Sequence, residues 1–133
     1  MESLDRMERE VDQWRPTPPA DFLEHYSQTE SMHSLAQAHV FSLTVLLMIH
    51  RFRFQYGVND ENAFIVSKCV MRELDSTRIV MRQVVKFAAL SLIVAVVEIT
   101  NQDEHEKAIG GVSQMLRHSR RFHERLMCLI LLL

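Results

Sequence analysis

The sequence has little that would break a helix: three glycines and three prolines in 133 residues, with all three prolines between Pro16 and Pro19. So few turn-formers argue against an all-β sandwich and leave long stretches free for uninterrupted helices. Two cysteines, Cys69 and Cys128, are too few for a disulfide framework and cannot alone ligate zinc, so a reducing compartment is expected. No strong charge of one sign is present, since 15 basic residues face 17 acidic ones. Neither nucleic acid nor an anionic membrane is favoured by such a balance. Residues Met1 to Arg15 hold no apolar core of a secretory signal, and the expected location is the cytosol or nucleus.

What is present is apolar periodicity. Hydrophobic residues make up 47% of the chain, and its length suffices for one domain with a real core. Ser3 can cap a first helix whose Leu4, Met7, Val11 and Trp14 form one stripe. Proline after Arg15 stops it, and residues 15–30 read as a linker-like segment. From Ser31 to Tyr56 the pattern predicts one long helix, nearly apolar all round between Val40 and Ile49. Asn59-Asp60 offers a cap for a helix to about Leu74, and Ser76 or Thr77 restarts the chain for another to about Thr100. That helix contains Phe87 to Val97, eleven uncharged residues covering about 17 Å, against about 30 Å of bilayer hydrocarbon, so it reads as core. After Asn101-Gln102-Asp103 come an amphipathic helix through Ala108 to Leu116 and a last one from Ser119, carrying Phe122, Leu126, Leu129, Ile130 and Leu133. The expected fold is all-α, a single bundle of five or six helices spanning residues 1–133. Its apolar end without a cap reads as a fragment of a larger domain.

Motifs for chemistry are weak. His118 and His123 lie five apart and His33 and His39 six apart, neither being the i,i+4 spacing that sets two ligands on one helix face. His105-Glu106-Lys107-Ala108-Ile109 has Ile109 where a zinc-protease helix needs its second histidine. No Gly-x-Ser-x-Gly elbow or phosphate-cradling glycine loop occurs. Accordingly no catalytic, cofactor-binding or metal-ligating residue is assigned, and the chain is not read as an enzyme. Glu98 closes the apolar run and must either reach solvent or find a partner inside the bundle, and the expected reading is a carboxylate near the helix end. The basic cluster Arg117, His118, Arg120, Arg121, His123 and Arg125 reads as the wet face of the last helix.

The order of these features resembles a known family. Trp14-Arg15-Pro16-Thr17-Pro18-Pro19 is followed by the helix His39 to Arg51 and by Phe87-Ala88-Ala89-Leu90-Ser91-Leu92-Ile93-Val94-Ala95-Val96-Val97-Glu98. Together they are similar to the C-terminal regulatory region of fungal binuclear zinc-cluster transcription factors. Val96 replaces the usual small glycine, an early proline is missing, and His105 or Lys107 stands where arginine is common. The resemblance implies a non-enzymatic regulatory or interaction module in the nucleus. It lacks the six-cysteine zinc cluster, so no specific DNA binding by this chain is expected. Its partners would be another protein or a second copy, with no membrane and with a small effector as a further candidate, and the apolar flanks at Val40 to Ile49 and Leu126 to Leu133 are expected to pack on missing domain segments or a second copy. The alternative is a helical small-molecule-binding protein whose Met32, Met48, Met81, Met115, Phe41 and Phe87 line an apolar pocket.

Overall fold

The computed structural model describes residues 1–115 and, beyond them, residues 121, 124, 125, 128, 129 and 132. Among the described residues there are helices and no strands: α1 (Glu2–Gln13), α2 (Phe22–His25), α3 (Gln28–Arg53), α4 (Asp60–Met81), α5 (Ala89–Glu98) and α6 (Gln102–Met115). The protein is an all-α bundle. Of the expected last helix only Arg121, Glu124, Arg125, Cys128, Leu129 and Leu132 are described, each exposed; its other residues, with most of the basic cluster and of the Leu126 to Leu133 flank, lie outside the described residues.

Helix α3 is the axis of the bundle, about 39 Å long at 1.5 Å per residue. It begins earlier than expected because Ser27 closes a capping box: its hydroxyl accepts from the Glu30 N–H, and the Glu30 carboxylate accepts from the Ser27 N–H at 2.8 Å. This interaction, with the short helix α2, brings order into a segment expected to be linker-like. By length and composition α3 could cross a bilayer. Here it packs on α1, α4 and α5 instead.

One face of α3 supplies the core. Val40, Thr44 and Leu47 follow i, i+4, i+7 spacing and are buried, and the Thr44 hydroxyl donates to the Val40 carbonyl at 2.7 Å, so the polar atom is satisfied inside the helix. Facing it, Ala63, Ser67, Val70, Leu74 and Thr77 form the buried stripe of α4. Val85, Ala88, Leu92, Ala95, Val96 and Ile99, with Val112 of α6, complete the cluster. Each fully buried Leu or Val here contributes about 1.5–3 kcal/mol.

The break expected at Ser76 or Thr77 is not there. Helix α4 runs through both, because Leu74 and Thr77 continue the stripe into the core, and ends only at Arg82. The turn to α5 uses left-handed backbone at Arg82 (φ 51°) and Phe87 (φ 59°). This turn docks on α3: the His33 Nε2 lies 3.1 Å from the Val84 carbonyl and the Gln37 amide donates to the Lys86 carbonyl at 2.9 Å. The expected cap of α1 also differs, since Met1 precedes the helix and Ser3 lies within it. At α6 the Asn101 side chain accepts from the Glu104 N–H at 3.2 Å, which starts the helix where the sequence breaks.

Candidate functional site

Helix α1 is amphipathic and lies along α3, with Leu4 and Val11 half-buried and Met7 and Trp14 about half exposed. Arg53 fixes its orientation. The guanidinium pairs with Asp5 at 2.6 Å and with Glu8, two acids one turn apart on α1. Because α1 covers only part of α3, two apolar faces remain, one on each side of it.

The outer face belongs to α3 itself. Ser34, Gln37, Ala38, Phe41, Val45, Met48 and Phe52 share one side of the helix at i, i+4, i+7 spacing. Phe41, Val45 and Met48 keep about two-fifths of their surface exposed and Phe52 keeps 74%. From Ser34 to Phe52 α3 places no charged residue on this side: His39 pairs with Glu73, His50 reaches the Asn59 carbonyl at 3.2 Å, and Arg51 points into the bundle. Beside the small residues of the stripe, Met7, Val11, Trp14, Ala38, Phe41 and Val45 bound a hollow of about 540 Å³, with Glu10 of α1 also lining it. The expectation that the Val40 to Ile49 segment offers an apolar flank thus divides: Val40, Leu47 and Ile49 are core, while Phe41, Val45 and Met48 face outward.

The second face is a groove of about 680 Å³ between the end of α1, α3 and the last turns of α4. Met32, Leu35, Leu46, Val80 and Met81 give it apolar walls, and Trp14 with Pro16 forms the rim. Its most ordered polar feature is the His39 Nδ1 at 3.3 Å from the Glu73 carboxylate, an α3 to α4 bridge that is more than half exposed on the histidine side. Of the six residues expected to line one Met/Phe pocket, only Met32 and Met81 meet here. Phe41 lies on the other side of α1, Met48 on the outer face, Met115 against the core, and Phe87 is 78% exposed in the α4–α5 turn. Their spread has a simple cause, since three helices and the α4–α5 turn carry them at different angular positions.

Glu98 ends α5, and of the two outcomes open to it the structure has the partner inside the bundle: it is 4% exposed and receives both prongs of Arg51, Nε to Oε1 at 2.8 Å and Nη2 to Oε2. The same Nη2 donates to Asp60 at 2.8 Å, and the Tyr56 ring lies 4.4 Å from the guanidinium carbon. Hydrogen bonding to Glu98 pushes the Arg51 pKa up, and the hydrogen bond from Arg51 holds the Asp60 carboxyl below its ordinary value. Burial pushes the Tyr56 hydroxyl up, with the Glu98 charge adding to it. Asp60 therefore does not cap α4 as the sequence suggested; its other oxygen accepts the Gly57 N–H at 2.9 Å and pins the turn. These groups saturate one another, so the cluster is a clasp joining α3, α4 and α5.

Among the described residues no group of three or more His, Cys, Asp or Glu side chains is arranged to hold a metal ion. Cys69 is half-buried and Cys128 exposed, both as free thiols. No protein-family model, curated protein or solved structure matches this chain.

Proposed function

We propose that this chain is a non-enzymatic interaction and regulatory module of a fungal-type transcription regulator, acting in the nucleus by helix-to-helix packing. One observation carries the interaction part of this reading. The α3 stripe Phe41, Val45, Met48 and Phe52 is apolar, uncharged over about three turns, and open to solvent on a helix rigidly braced by α1, α4 and α5. A rigid amphipathic face of that kind is suited to receive another helix. The regulatory part rests on the sequence resemblance, and the chain contributes no zinc cluster with which to grip DNA.

The test is a reporter assay with the chain fused to a heterologous DNA-binding module. Reporter output should change on fusion and return to the level of the module alone with Val45→Glu or Met48→Glu, while Ile65→Glu, on the exposed side of α4, leaves it changed. An output indifferent to all three variants removes the reading.

A second reading, a helical receptor for an apolar small molecule, is favoured by the α1/α3/α4 groove. Its volume of about 680 Å³ falls in the range of roughly 300–1,000 Å³ usual for ligand sites. Filling it with Met81→Trp should abolish a response to any such effector and spare the α3 face.

A further inference from the structure

We infer that the occupant of the open α3 face is a second copy of this chain, with the two α3 helices crossing antiparallel about Val45 so that Phe52 of each copy enters the hollow beside Ala38 of the other. The inference rests on the reading of α3 as an interaction face and names the partner.

Size order along the stripe is the first reason. Small residues, Ser34 and Ala38, lie toward the N-terminal end of α3, and bulky ones, Met48 and Phe52, toward its C-terminal end. A parallel pair would set Phe52 on Phe52 at one end and leave the small residues apart at the other. Only the antiparallel pair sets bulk against hollow along the whole stripe, as knobs fill holes in packed helices. Position 45 is midway between 38 and 52, so a two-fold axis there places Phe52 opposite Ala38 at both ends at once.

The second reason is the hollow itself. Its volume of about 540 Å³ accommodates an aromatic side chain, and Met7, Val11, Trp14 and Phe41 give it apolar walls, with Glu10 and Ser42 also bounding it. Phe52 is the most exposed apolar residue of α3, at 74%. It cannot fill the hollow of its own chain, being fourteen residues and about 21 Å farther along the same rigid helix. Another chain's Phe52 can. The α3 stripe itself brings no charge into the contact, Glu10 of α1 at the edge of the hollow is exposed and paired with Arg6 at 3.7 Å, and the two helix dipoles oppose each other favourably.

The experiment uses the full 133-residue chain. Sedimentation equilibrium at 1–100 micromolar, concentrations of the order at which modest interfaces form, should give twice the 15.6 kDa chain mass. Val45→Glu sets two like charges across the axis and should return the mass to one chain with unchanged helical circular dichroism. Phe52→Ala should weaken the dimer at least about tenfold. Independently of any loss of folding, Val45→Cys in a Cys69→Ser, Cys128→Ser background should form an inter-chain disulfide under mild oxidation, because helices in contact bring facing Cα atoms within bonding range. A monomer at 100 micromolar overturns the second-copy inference, and the reporter assay then decides separately whether the face serves a different protein. A dimer that survives Val45→Glu and fails to cross-link through position 45 overturns the proposed geometry and with it the inference.

Discussion

Arg51 and Glu98, 47 positions apart, share two hydrogen bonds inside the bundle, with the guanidinium 13% and the carboxylate 2% exposed. The pair joins the last turn of α3 to the last turn of α5, and Gln37 joins the start of α5 to the first half of α3 through the Lys86 carbonyl. The two ties together set α5 parallel to α3. Parallel neighbours with a single helix, α4, between them in sequence need that helix to return the chain, and α4 does so over 22 residues.

Breaking the clasp from one side should be costly. Arg51→Ala leaves Glu98 charged and buried without a partner, and chemical denaturation should show a loss of about 3–5 kcal/mol. The double variant Arg51→Met, Glu98→Leu removes both charges and should recover most of that loss. A single variant as stable as the parent would mean that Glu98 is hydrated, contrary to its burial.

Stability should fall at both ends of the pH scale, for different residues. The folded pKa values of Asp60 and Glu30 are lowered, Asp60 by Arg51 and Glu30 by the Ser27 N–H. A lowered carboxyl contributes stability that is present above its unfolded pKa and lost as pH falls through the folded one, so the acid limb begins within the ordinary carboxylate range and extends below it. Tyr56 is raised, chiefly by burial, so its contribution is present below its ordinary value of 10.0 and is lost as pH rises beyond it. Thermal melts across pH should show a plateau between these limbs. Tyr56→Phe should flatten the alkaline limb, and Asp60→Asn the acid one.

The turn between α4 and α5 holds two side chains in left-handed backbone, Arg82 and Phe87, and both point to solvent. That conformation costs about 1–2 kcal/mol for a residue with a Cβ, and glycine avoids most of it while losing about 1 kcal/mol of chain entropy. Arg82→Gly and Phe87→Gly should therefore each be neutral or stabilising by up to about 1 kcal/mol in urea midpoint measurements. A substitution of an exposed aromatic that stabilises would be a direct reading of backbone strain.

Much of the architecture was legible because helical periodicity is local. The long central helix, the apolar α5 segment and the break at Asn101 follow from spacing within a few turns. What was not legible depends on partners far away in sequence. Ser76 and Thr77 look like a stop, yet Thr77 is 6% exposed and continues the stripe of Leu74 and Val70, so packing overrode their turn preference. The true break carries Arg82 and Phe87, which announce nothing. Glu98 and Arg51 are both plain in the sequence, but no spacing rule pairs residues 47 apart. The α3 face was half legible: the all-round apolar run was evident, whereas its division into core and open sides required the positions of α1, α4 and α5.

Two leucines two positions apart on α5 give the sharpest check on that division. Leu92 is 0% exposed within the cluster of Val70, Leu74 and Val96, while Leu90 is 58% exposed. Two positions along a helix turn the side chain through about 200°, so one faces the core when the other faces away. Leu92→Ala should remove about 2–5 kcal/mol, the transfer free energy of the side chain plus the cavity it leaves. Leu90→Ala should change stability by no more than about 0.5 kcal/mol, since surface positions rarely move it further. Equal losses at both sites would mean that α5 is covered on its outer side too. If that equality disappeared in the Val45→Glu background, the covering surface would be the second chain.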